Sequence, residues 1–168
     1  MQETPQQYTA RILATLGGRP PMDVLSDTTA KLASLVKGKS KTETTRKPAP
    51  GKWSVAEIIA HLADVEMVIG YRLRKILEAD GTPIQAYDQD VWAGFSNYET
   101  IPLDESLQKQ SVLRSSNLRL LRSLKPEQWQ SYGMHAERGR ETLQRVAEMT
   151  AGHDLNHLAQ IEKILSSR

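Results

Sequence analysis

Apolar positions recur at helical spacing along most of the chain, and no stretch alternates at the period of two that marks a strand. Residues 4–16 predict a short amphipathic helix with Tyr8, Ile12, Leu13 and Leu16 as its apolar members. Gly17, Gly18, Pro20 and Pro21 end it. A second helix is expected from about Asp23 to Lys37, burying Leu25, Leu32, Leu35 and Val36. Residues 38–52 form a polar connection, whose basic residues read as a solvated loop ahead of an anion-binding patch. Ser54-Val-Ala-Glu57 is a capping box, with Trp53 and Ile58 placed for a hydrophobic staple. The helix it opens should reach about Ala79 and stop at Asp80-Gly81. Ile58, Leu62, Val65, Ile69, Leu73 and Ile76 make its buried stripe, and His61 lies on the stripe's edge beside Val68 and Arg72. His61 is about two turns past the cap, on the order of 10 Å into the helix.

Residues 81–102 are the least regular part. Tyr87–Phe95 predicts one or two helical turns capped by Asp88. This segment carries a tryptophan and the chain's single phenylalanine, so it is expected to pack down as a lid over a pocket. Leu103 or Asp104 opens another helix to Leu124, with Leu107, Leu113, Leu118, Leu120, Leu121 and Leu124 apolar and Ser111, Arg114 and Asn117 polar on its inner side. Lys125–Trp129 reads as a short helical turn with Pro126 in first position. Gly133 and Gly139 bracket a loop carrying His135, a plausible pocket residue, and a long last helix follows from Thr142. No internal repeat is present. The fold class that emerges is all-α: an antiparallel four-helix bundle with extra short helices. The connection after the third helix is long enough to cross the bundle, so simple up-down-up-down order is not required.

At 168 residues the chain fits a single domain, 1–168, with residues 1–20 as an N-terminal helical arm. Basic and acidic residues are interleaved and the net charge is only +2, which does not suggest a nucleic-acid partner. There is no cysteine, hence no disulfide, no thiolate nucleophile and no sulfur ligand from the chain itself. The amino terminus lacks a signal-peptide pattern, and no apolar run approaches the roughly 18 residues of a membrane span. A cytoplasmic protein without membrane contact is the expectation.

The strongest chemical signal lies in the last helix. Val146, Thr150, His153, His157, Gln160 and Ile164 fall on one narrow stripe predicted to face the core. A lone core histidine is usually a hydrogen-bonded structural residue. Two imidazoles one turn apart are another matter: burying both is costly unless each finds a partner, and one metal ion satisfies the two. His61, on another core helix, supplies a third nitrogen. Three neutral ligands leave the ion's charge intact and a coordination position open, as catalytic sites require. Ligand type admits zinc, nickel, iron, manganese, cobalt or copper. Gln160, Asn156, Asp64 and Glu57 are candidates to orient the imidazoles. Asp88 and Asp90 could approach the ion from the lid. Leu155, apolar but off the histidine stripe, suggests a second buried face and hence a dimer. The alternative to an enzyme is a non-catalytic dimeric bundle with a vestigial or ligand-binding metal site.

The run Pro50-Gly-Lys-Trp-Ser-Val-Ala-Glu-Ile-Ile-Ala-His61-Leu-Ala-Asp64, followed far along the chain by Ala-Gly-His153-Asp-Leu-Asn-His157-Leu-Ala-Gln160-Ile161, resembles the DinB-like (DinB/YfiT) superfamily. Asp88-Gln-Asp-Val-Trp and the Gly139-Arg-Glu-Thr-Leu approach to the last helix are similar to it too. The resemblance covers nearly the whole chain from the second helix onward. It implies a four-helix bundle of up-down-down-up order, often a homodimer. It also implies a divalent transition metal, zinc or nickel foremost, held by His61, His153 and His157. That superfamily includes bacillithiol S-transferases, mycothiol-dependent maleylpyruvate isomerases and proteins described as metal-dependent hydrolases. The implied activity is therefore small-molecule thiol S-transfer or hydrolysis. A thiol would have to arrive on a small-molecule cofactor, since the chain has none.

Overall fold

The computed structural model describes residues 3–167. The first two positions of the expected 1–20 arm, and Arg168 at the end of the expected 1–168 domain, lie outside the described residues. The elements run α1 (Pro5–Leu16), α2 (Pro21–Val36), α3 (Lys41–Thr45), α4 (Val55–Glu78), β1 (Thr82–Ile84), α5 (Gln89–Phe95) and α6 (Leu103–Arg122), then a 3-10 turn (Pro126–Gln130), β2 (Tyr132–His135), β3 (Gly139–Thr142) and α7 (Leu143–Ser166).

Helix starts follow local capping chemistry. Thr4, Ser40 and Ser54 each close a capping box with Gln7, Glu43 and Glu57 respectively, and the Thr142 hydroxyl accepts the Arg145 N–H. The box at Ser40 starts α3, a short helix within the expected polar connection.

Side-chain pairs between helices fix the direction of each. Asp64 meets Lys109, Glu66 meets Arg114 and Arg74 meets Ser116, so α4 and α6 ascend together and are parallel. Ser26 meets Arg122 and Thr29 meets Gln110, so α2 and α6 are antiparallel. Thr28 meets Asp154, and the apolar residues of α2 and α7 advance in step through both core clusters, so these two are parallel. The order is up-down-down-up, and the segment between α4 and α6 makes the crossover.

The core is two apolar clusters with a polar layer between them. One joins Leu25, Leu73, Ile76, Leu121, Leu143 and Val146, among others. The second joins Leu32, Ile58, Ile59, Leu62, Leu158 and Ile161. Between them α6 presents a buried seam that is largely polar: Ser106, Gln110, Arg114 and Asn117. Arg114 pairs with Glu66 at 2.7 Å and with Asp154 at 2.7 Å, and Thr28 donates to Asp154 at 2.8 Å. Burial opposes the guanidinium's charge, but the two carboxylates overcome it and raise its pKa.

Two sequence expectations are corrected. β1, β2 and β3 form a small sheet, β1 parallel and β3 antiparallel to β2, where loops and irregular chain were expected. Its strands are three or four residues long, too short to display a period, and they exist through pairing. The segment expected to pack down is only partly seated. Tyr98 is buried, but α5 has no buried residue and Phe95 is 71% exposed. Leu155 packs against both apolar clusters of its own chain, so its apolar character needs no second copy.

Helix α1 lies against α7 through a close approach. A Cβ on Gly152 would stand 2.3 Å from the Ile12 carbonyl oxygen, so only glycine admits α1 here, one residue from His153.

Candidate metal centre

The two histidines of the α7 stripe and His61 of α4 come together in the polar layer. His61 Nε2 lies 3.2 Å from His153 Nε2, which in turn lies 3.1 Å from His157 Nε2. Each ring offers one nitrogen to a common point, all within 4.8 Å of one another. Two nitrogens bound at about 2.0–2.1 Å to one tetrahedral ion would be about 3.3–3.4 Å apart, close to the spacing observed. The donor set therefore fits a divalent transition metal.

Two of the rings are held from outside, while among the described residues His153 Nδ1 has no hydrogen-bond partner. Trp53, just before the α4 cap, lies against His61 with ring centroids 4.9 Å apart. His157 Nδ1 meets Gln160 Oε1 at 2.9 Å. The amide oxygen can only accept, so the His157 proton sits on Nδ1 and its Nε2 lone pair faces the other two rings. Of the four orienting candidates, Gln160 alone hydrogen-bonds a histidine among the described residues. Asn156 accepts from Arg11, Asp64 accepts from Tyr98 and Lys109, and Glu57 serves the capping box and Lys47. Asp88 caps α5, its side chain accepting from the N–H groups of Asp90 and Val91.

Burial keeps all three imidazoles neutral, which is the state that ligates. Desolvation lowers the His61 pKa to about 3, with His157 adding to the effect. The His153 pKa is driven well below the ordinary value by desolvation and then by its two partner rings. His157 is lowered by desolvation, partly offset by its Gln160 bond.

His61 and His157 are buried, whereas His153 keeps partial exposure and lines a cavity of about 650 Å³. The cavity follows the groove between α4 and α7, with Val65, Ile69, Val146 and Met149 as apolar walls. From the expected lid, Tyr87 and Gln89 reach it. Burial raises the Tyr87 pKa to about 12, so its phenol stays a donor. His135 is buried on β2 next to Arg72 rather than in a loop. Sequence reasoning placed Arg72 beside His61 on α4 but gave it no role, and the cavity it lines was invisible without the α4–α7 pairing.

A four-helix bundle of this order, with three histidines converging between α4 and α7 beside a cavity, defines a class of metal-site bundles. The chain belongs to the DinB superfamily, whose family model matches residues 25–161. A protein of Oceanobacillus iheyensis named "Putative metal-dependent hydrolase" is 31% identical over 114 residues, covering 68% of this chain and 66% of that one. YfiT of Bacillus subtilis, given the same description, is 25% identical over 144 residues, covering 85% of this chain and 81% of its own. A solved structure of YfiT, described as "a probable metal-dependent hydrolase with an unusual four-helix bundle topology", superposes with a TM-score of 0.80 at 22% identity, covering 97% of this chain and 88% of that one.

Proposed function

We propose that this chain is a metal-dependent hydrolase of small molecules, with His61, His153 and His157 as the protein ligands through Nε2. The observation that carries the reading is the convergence of three neutral imidazoles beside a cavity, His153 Nε2 lying 3.2 and 3.1 Å from the Nε2 atoms of His61 and His157. A divalent ion bound there, zinc or nickel in expectation, supplies Lewis acidity and lowers the pKa of a bound water. The chain does the rest. Gln160 fixes the His157 tautomer, Trp53 holds the His61 ring, and the apolar walls along α4 and α7 limit water around the reacting bond.

Relatives described as metal-dependent hydrolases favour water as the nucleophile. S-transfer from a small-molecule thiol is the finer alternative that the same ligand set allows. Hydrolysis of an ester or amide panel by metal-loaded protein, lost in the His153→Ala variant, tests the proposal. Turnover that appears only when a thiol is added would assign the site to S-transfer. The expected homodimer and cytoplasmic location rest on the family resemblance and on sequence. Among the described residues, no helix is long and apolar enough to cross a membrane.

A further inference from the structure

Arg72 lines the same cavity as His153 and is only 8% exposed, yet no carboxylate lies within ion-pair distance of it among the described residues. The other charges of the wall are spoken for. Arg138 makes two bonds to Glu141, at 2.7 and 3.0 Å, and Glu3 pairs with Arg11. Glu137 stands exposed and forms no ion pair with Arg72. Arg72 itself has one good acceptor, the Gln85 carbonyl at 2.7 Å from Nη2.

Its second polar neighbour is not an acceptor. His135 Nε2 lies 3.5 Å from Arg72 Nη2, while His135 Nδ1 accepts the Glu137 N–H at 3.2 Å. Burial keeps this imidazole neutral, lowering its pKa to about 4. A neutral ring that accepts at Nδ1 carries its proton on Nε2. Two donors therefore face each other, and among the described residues the guanidinium's remaining N–H groups have no oxygen or nitrogen acceptor, only the Tyr87 ring 5.9 Å from Cζ. Those N–H groups are open to the cavity, where a ligand's negative oxygens would receive them.

The placement relates this cation to the metal centre. Arg72 falls on the same face of α4 as His61, three turns or about 16 Å further along the axis. Val65 and Ile69 lie between the two levels and line the cavity. We infer that Arg72 is a substrate-binding residue, and that the ligand is an elongated small molecule with an apolar middle and a terminal carboxylate or phosphate seated on its guanidinium. The planar fork suits either oxyanion. This rests on the metal-site reading for the reacting end only, because the anion seat is built from groups that do not touch the ion.

The test is calorimetric titration of the full chain, as purified and again after chelation, with octanoate, octyl phosphate and neutral 1-octanol. Wild type should bind at least one of the two anions about tenfold or more tightly than octanol, with or without metal. Arg72→Gln should abolish that preference, and Arg72→Lys should retain part of it while preserving the charge. The anion with the larger drop identifies the oxyanion. Equal affinities for anions and alcohol in wild type, no measurable anion binding, or a preference unchanged in Arg72→Gln would each overturn the inference. Should Arg72→Gln melt much below wild type, Arg72→Lys decides, and an unaltered anion preference there overturns it. Protein that holds no metal as purified and takes up no added zinc or nickel, yet shows the Arg72-dependent preference, would sink the metal reading alone. Full metal occupancy without that preference would sink only this one.

Discussion

His157 Nδ1 and Gln160 Oε1 sit 2.9 Å apart on successive turns of α7, and this bond decides which nitrogen of His157 is free to bind an ion. Gln160→Leu keeps the side-chain size and removes the acceptor. Metal affinity is expected to fall about 10–100-fold, as for other partners that orient a ligating imidazole. Competition against a chromophoric chelator measures it, and unchanged affinity would show that the bond orients nothing.

The Glu66–Arg114–Asp154 network holds α4, α6 and α7 together at the level of the histidines. Arg114→Ala would leave two carboxylates buried without their cation, at a cost of about 3–5 kcal/mol. Urea unfolding should show this as a lower midpoint. Arg114→Met together with Glu66→Gln and Asp154→Asn should recover part of the loss, because uncharged groups need no counter-ion. A single variant as stable as wild type would mean that the network is solvated.

Gly152→Ala places a methyl group 2.3 Å from the Ile12 carbonyl oxygen, so α1 must shift. The expected loss is about 1–3 kcal/mol, with easier proteolysis of the α1 segment. Gly94→Ala is the internal control. It lies in α5 with nothing within 4 Å of the added carbon, and should gain roughly 0.5–1 kcal/mol. Equal effects of the two substitutions would contradict the close approach.

Acid should destabilise the metal-free protein before any carboxylate titrates. Unfolded histidine takes up a proton as pH falls through about 6.5. In the fold His135 resists protonation to about 4 and His61 to about 3. The unfolded state thus binds more protons in that window, so stability is fully present above about 6.5 and is lost as pH falls. Glu43, lowered to about 2 by its cap bonds to Ser40, acts in the same direction only below the ordinary carboxylate range. Unfolding free energies at pH 7.5, 6.0 and 5.0 should decline, less steeply in His135→Asn. A flat profile would mean that the imidazoles are not held neutral.

The bundle and its ligand candidates were legible because long helices advertise themselves. The Ser54 capping box, the α4 stripe and the α7 stripe each repeat over many turns, and His61, His153 and His157 sit inside those repeats. The sheet was not legible, since Tyr132–His135 pairs with Gly139–Thr142 through contacts that no local pattern of three or four residues encodes. Neither was the polar core layer. Arg114 and Asn117 could be seen on the inner side of α6, but their partners Glu66 and Asp154 look like ordinary exposed charges until α4 and α7 are placed beside them. Phe95 departs for the converse reason: a large aromatic side chain favours the interior, and α5 carries it outward.

The central claim is that three neutral histidines form one metal site, and elemental analysis addresses it most directly. Untagged protein purified without chelator is compared with His61→Ala, His153→Ala and His157→Ala. The account predicts about one transition-metal ion per chain in wild type, lost in all three variants. Metal-free wild type that also fails to take up added zinc or nickel, or variants that retain full occupancy, would contradict it.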